Sequence, residues 1–143
     1  MSGRNADEQE RIFKSSYAVS FLYDGDKLIG CARALSDGVC EAALYNIALA
    51  REYHGRKLGR MLIESILEQV RGCNIILYTH PRTVAMYEKF GFRRQKTGMA
   101  IYQGNADDLK RMEKTGFLLP EGYRFSDNEL GRPVGGNDEK TEI

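Results

Sequence analysis

Apolar residues come in short extended runs as far as residue 49 and then switch to a helical spacing. Residues 17–23 (YAVSFLY) crowd aromatic and β-branched side chains, Asp24-Gly25-Asp26 supplies turn chemistry, and residues 27–35 (KLIGCARAL) resume the extended pattern. Together they predict a β-hairpin. A second turn at Ser36-Asp37-Gly38 leads into residues 41–49 (EAALYNIAL), almost wholly apolar, as in a strand covered on both faces. Beyond it Gly59, Leu62, Ile63, Ile66 and Val70 recur at helical intervals while Arg60, Glu64, Glu68 and Arg71 fall on the other side. This is an amphipathic helix that Gly72 closes.

Residues 74–78 (NIILY) follow that helix as a short apolar strand, which predicts parallel pairing with 41–49 through a right-handed crossover. Pro81 opens a second helix over 82–90, closed by Gly91, and strands are expected over 92–96 and 99–103 on either side of Thr97-Gly98. At the N-terminal end, residues 5–14 read as a short helix capped by Asn5, and at the other end 106–114 reads as another. Residues 117–125 are apolar enough to dock on the domain or to form a homodimer contact, whereas 132–143 are rich in Gly and charge and are expected to be disordered. The organisation expected is one domain over 1–131, with a core at 17–103 and an extension at 104–131.

Composition narrows the class. A chain of 143 residues with 42% apolar and 29% charged residues suits one globular domain, and no apolar run approaches the roughly 18 residues of a membrane span. Residues 1–11 are polar and include acids, unlike a secretory or transit leader. Cys31, Cys40 and Cys73 are odd in number, lie in apolar segments and lack C-x-x-C spacing, so buried free thiols and a cytoplasmic location are expected. A net charge of +1 carries no global argument for nucleic acid. Locally, Arg93, Arg94 and Lys96 form a basic cluster, to be read as a phosphate or nucleic-acid contact or as a strand edge protected by charge.

The junction between the third strand and the first long helix carries the chemistry. In Ala48-Leu-Ala-Arg-Glu-Tyr-His-Gly-Arg-Lys-Leu-Gly-Arg60, Gly55 and Gly59 let the backbone turn and approach a ligand, and the first N–H groups of the helix point at that turn. A helix N-terminus of this kind attracts a pyrophosphate, and Arg56, Lys57 and Arg60 add positive charge. On its own the turn reads equally as an ordinary strand-to-helix connection with a basic edge. There is no G-x-x-x-x-G-K-[ST] spacing, and His54 and His80 stand too far from any carboxylate cluster to suggest a metal site.

Two stretches resemble the GNAT family of acetyl-coenzyme-A-dependent N-acetyltransferases. IALAREYHGRKLGRMLI is similar to the family's acetyl-CoA loop, written [Q/R]-x-x-G-x-[G/A] after a strand ending in V-x-P-x-Y/F, and VAMYEKFGF looks like its late helix with a tyrosine. The hairpin DGDKLIGCARALSDG also looks like the family's second and third strands. The resemblance covers residues 17–103. It implies an α/β (α+β) fold with a mixed, mostly antiparallel sheet, flanking helices and a central βαβ unit that binds acetyl-CoA.

It also implies roles. Ile47, Ala48 and Leu49 would line the pantetheine arm as an added strand does, and His54, Gly55, Arg56, Lys57, Leu58, Gly59 and Arg60 would hold the pyrophosphate. His54 stands at the family's Gln/Arg position and Lys57 at its usual glycine; a negative φ would make Lys57 harmless there, a positive one would strain the loop. Tyr87 matches the family tyrosine and would protonate the leaving thiolate, although its spacing with Val84 and Phe90 also suits a core aromatic. For the base that takes the amine's proton, Glu41 and Asp37 are candidates alongside water, both being equally readable as solvated turn residues; Tyr45 shares the face of Glu41. Asn46 stands where relatives often carry an acid, and an amide is no base. The expected reaction is acetyl transfer to a primary amine by direct attack, with neither metal nor nucleic acid involved. The family usually opens with a strand and two helices, of which only residues 5–14 have a counterpart here.

Overall fold

One amphipathic helix and three strands rich in small residues determine how the sheet is built. The computed structural model describes residues 3–124; the expected disordered tail at 132–143 lies outside them. Strands β1 (Ala18–Asp24), β2 (Lys27–Ser36) and β3 (Glu41–Leu49) form an antiparallel meander, and β4 (Asn74–Ile76) adds to β3 in parallel, giving the order β1-β2-β3-β4. Side chains alternate between two faces. Ala18 and Ser20, Ala32 and Ala34, and Ala42 and Leu44 are buried on the face that α2 (Leu58–Gln69) covers, and they meet Leu62, Ile63 and Ile66 of that helix, with Val70 just past its end. Alanines on the strands let the helix lie close to the sheet. Ser20, polar and buried, is satisfied by Ser65 Oγ at 2.8 Å and by Gln69 Nε2 at 2.9 Å.

The opposite face carries α1 (Ala6–Lys14), whose Phe13 ring lies 5.6 Å from that of Phe21 and whose N-terminus is closed by a capping box between Asn5 and Glu8. The meander, the parallel βαβ unit and the amphipathic helix are all as the residue pattern predicts.

The chain divides into two compact units, the first ending at Leu77 and the second starting at Tyr78. In the second, Pro81–Thr83 form a 3-10 turn before α3 (Val84–Glu88), and α4 (Ala106–Thr115) follows with its own capping box at Asn105. Tyr78 meets Tyr102 and Phe117 edge to face, and His80 packs on Phe117. The strands expected over 92–96 and 99–103 are absent: that stretch forms no strand among the described residues. Met99 and Ile101 are 98% and 92% exposed, so no layer covers the apolar positions that would pay for a hairpin. The basic cluster is therefore a loop rather than a strand edge, with Arg94 paired to Glu88 at 2.9 Å.

Candidate active site

β3 is paired on one edge along its length and on the other only at its start. β4 meets Glu41, Ala42 and Ala43, and from Leu44 onward that edge has no partner strand among the described residues. On the β2 side the register slips between Cys31↔Ala48 and Arg33↔Tyr45, leaving Asn46 in the left-handed region at φ +56°. This is a β-bulge. Arg33 anchors it, donating from Nε to Asn46 Oδ1 at 2.7 Å while its guanidinium lies 5.0 Å over the Tyr45 ring. After the bulge, Ala50 N–H donates to Ile29 carbonyl at 2.8 Å, so by the alternation of the ladder Ile47 and Leu49 aim their N–H and C=O groups at the open edge. His54 turns back on that edge, and Nε2 donates to the Leu49 carbonyl at 2.9 Å. What remains for an extended ligand is the N–H and C=O of Ile47 and the N–H of Leu49.

The loop to α2 is strung on Tyr53. Its hydroxyl donates to Asp24 Oδ2 at 2.6 Å, tying the loop to the β1–β2 turn, and Lys27 and Arg56 sit over its ring at 5.6 and 5.4 Å. Gly55 then takes φ +81°, which only glycine adopts without cost, and Lys57 takes φ +61°. Lys57, at the family's usual glycine, thus has the positive φ, the strained alternative of the two that the sequence leaves open. Lys57 is also the N-cap of α2, with no side-chain cap, and the first turn holds no acid. The first intrahelical bond is Met61 N–H to Lys57 carbonyl at 3.3 Å, so the N–H groups of Leu58, Gly59 and Arg60 have no partner within the helix. Helices α1 and α4 close the same end with an Asn capping box and two acids each. Arg60 is engaged by Glu64 at 2.7 Å, whereas Arg56 and Lys57 have no carboxylate partner among the described residues.

Tyr87 belongs to the second unit. It is 8% exposed, packs edge to face with Phe92 at 5.9 Å between ring centres, and shares a hydrogen bond with Thr79; burial pushes its phenol above the ordinary range, more than that bond lowers it. It is both the core aromatic and a protonated donor. Glu41 stands at the paired end of β3, where Asn74 Nδ2 donates to its Oε1 at 3.0 Å; the eight residues to Leu49 span roughly 26 Å of strand. Asp37 is occupied by the turn: the N–H groups of Val39, Cys40 and Glu41 and the Cys40 thiol all donate to it, holding its carboxyl far below the usual range. Such a carboxylate is a poor proton acceptor.

The cysteines are free, but Cys40 is exposed and Cys31 and Cys73 only half-buried, because the turn and the short β4 leave them uncovered. Desolvation raises Cys31, and the Asp37 contact raises Cys40, so neither is a ready thiolate. His80 accepts from Arg82 N–H through Nδ1 at 3.1 Å. The Asn46 bulge is the feature that the residue pattern did not reveal. Its signal was an asparagine, the side chain most at ease at positive φ after glycine, inside an otherwise apolar strand.

The fold is that of an acetyltransferase class, and the comparisons agree on the family. The profile of the Acetyltransferase (GNAT) family matches residues 3–92, and the chain belongs to that family. Among curated proteins it is 31% identical over 91 residues to an uncharacterized N-acetyltransferase, ycf52, of Pyropia yezoensis, covering 59% of this chain and 52% of that protein. It is 35% identical over 81 residues to the chloroplastic serotonin N-acetyltransferase 2 of Oryza sativa subsp. japonica, covering 52% and 40%. The chain thus spans about half the length of the curated relatives it matches, or less. Among solved structures, a probable acetyltransferase of unknown function from meticillin-resistant Staphylococcus aureus superposes with a TM-score of 0.63 at 27% identity, covering 72% of this chain and 84% of that one.

Proposed function

We infer that this chain moves the acetyl group of acetyl-CoA to a primary amine by direct attack, without an acetyl-enzyme intermediate. One observation carries the reading: α2 begins uncapped and free of acids behind Gly55 and Lys57 at positive φ, at the end of a strand whose edge is open. Consecutive N–H groups in such a turn make a nest for a pyrophosphate, and an open edge accepts the amides of a pantetheine arm as an added strand. In the reaction, the amine nitrogen bonds to the thioester carbonyl carbon, the C–S bond breaks, and the thiolate takes a proton from the Tyr87 phenol. The surplus proton of the amine leaves to water, because Asp37 is committed to its turn and Glu41 lies at the far end of β3, and water returns a proton to the Tyr87 phenolate. The free thiols point to a reducing compartment such as the cytoplasm.

The test follows free thiol released from acetyl-CoA over a panel of primary amines, together with calorimetric binding of acetyl-CoA. Turnover that Tyr87→Phe suppresses while binding persists supports the reading. Asn46 at the usual acid position favours a second one, a non-catalytic acyl-CoA module, for which binding without turnover on any amine is the expected result.

A further inference from the structure

The face of the sheet that α1 covers holds a cavity of about 370 Å³, wholly within the first unit. Its walls are unusual in charge. Arg4, Arg11 and Arg33 line it, with Glu8 as the one carboxylate among the described lining residues and Ile12 and Leu35 as its apolar part. Glu8 is already in use, accepting from Asn5 N–H at 3.0 Å to close the N-terminus of α1. The guanidiniums of Arg4 and Arg11 have neither a hydrogen bond nor an ion pair with the described residues. Arg4 and Arg11 thus bring two like charges to one open concavity, where they repel one another. In a chain whose net charge is +1, this concentration of cations is local and not a general basic bias.

We propose that this cavity binds an anionic group, carboxylate or phosphate, carried by the acceptor. The class of acceptor is then an amine that bears an anion, such as an amino acid or an amino sugar phosphate, and not a neutral arylalkylamine. Guanidinium forks match both anions in planar, bidentate geometry. The volume suits an amino-acid-sized group. Arg33 connects the cavity to the bulge of β3: it lines the wall, donates from Nη1 to Ser16 Oγ at 3.4 Å, and donates from Nε to Asn46 Oδ1. An acceptor anchored by its anion at Arg4 and Arg11 is then held on the face of the sheet from which Arg33 reaches Asn46. The proposal rests on the acetyl-transfer reading for the word acceptor, but the anion site itself does not.

The experiment uses the full chain and two matched probe pairs, L-phenylalanine against phenethylamine and glucosamine 6-phosphate against glucosamine. Binding is titrated with coenzyme A present, and thiol release from acetyl-CoA is followed in parallel. In at least one pair the anionic member binds about tenfold or more tightly than its neutral partner, as a charge-assisted fork requires. The pair that responds distinguishes carboxylate from phosphate. Replacing both Arg4→Gln and Arg11→Gln abolishes the preference while the thermal midpoint and the acetyl-CoA affinity stay at wild-type values. Equal binding within both pairs, or a preference that survives the double replacement, overturns the proposal. An anion preference that needs the arginines, without thiol release from any probe, leaves the site standing and counts against acetyl transfer instead.

Discussion

Lys57 carries strain and charge at one position. A non-glycine residue at φ +61° costs on the order of 1 kcal/mol, and the Lys57 side chain makes no capping hydrogen bond to α2 in return. Lys57→Gly is therefore expected to raise the unfolding free energy by roughly 0.5–1 kcal/mol in urea titration. In the same variant acetyl-CoA affinity falls by no more than about fivefold, the worth of one exposed charge. Tyr87 supplies the second residue-scale prediction. Burial holds its pKa above the ordinary tyrosine value, so the phenol stays protonated through neutral and mildly alkaline pH, and a rate that depends on it fails only as pH rises through that raised value. Tyr87→Phe removes the donor at every pH and is expected to lower kcat about 100-fold or more with acetyl-CoA binding kept. The letters expose Lys57 as a departure and Tyr87 as a motif residue. They do not expose the sign of φ, which is decided by how the loop closes on Tyr53 and His54.

At the scale of elements, legibility followed periodicity. The spacing of Leu62, Ile63, Ile66 and Val70 is read without ambiguity, and Ile63, Ile66 and Val70 are the largest fully buried side chains among the described residues. Ile66 has no exposure, so Ile66→Ala should cost about 2–5 kcal/mol in chemical denaturation, the upper end if the alanines of β2 cannot close the gap. The stretch at 92–103 misled for the converse reason. Its apolar residues are few, interrupted by Arg93, Arg94 and Lys96, and a short alternation of that kind becomes a strand only when a neighbouring edge and a covering layer exist. Asp37 organises the turn between β2 and β3. Its carboxylate has a folded pKa below the unfolded value of roughly 4, so its contribution is present above that pH and is lost as pH falls toward the folded value. Urea midpoints measured from pH 7 down to pH 3 should fall less steeply in Asp37→Ala than in the parent, and a parallel fall in both would remove Asp37 from the account.

Across the whole molecule, folding and ligand binding meet at the N-terminus of α2, where a stability contribution has been left unmade. Capping boxes close α1 and α4, whereas α2 presents Leu58, Gly59 and Arg60 N–H groups with no side chain to receive them. A bound pyrophosphate would supply what the sequence omits, so acetyl-CoA at about 100 times its Kd should stabilise the chain by roughly 2.7 kcal/mol and raise its thermal midpoint. Gly59→Asp turns this into a test with opposed signs. A Cβ at residue 59 meets nothing nearer than Leu49 Cδ2 at 3.9 Å and the position lies within the helix, so a side chain is tolerated there. A carboxylate in the first turn favours the helix by about 0.3–1 kcal/mol through the dipole, and replacing glycine inside a helix adds a similar amount. The unliganded variant should therefore melt at or above the parent's temperature. The same carboxylate occupies the positive end of the helix and repels a pyrophosphate, so the shift produced by acetyl-CoA should vanish. Thermal scans of both proteins with and without acetyl-CoA decide the matter: a Gly59→Asp chain that still responds to the ligand as the parent does would place the pyrophosphate somewhere other than the start of α2.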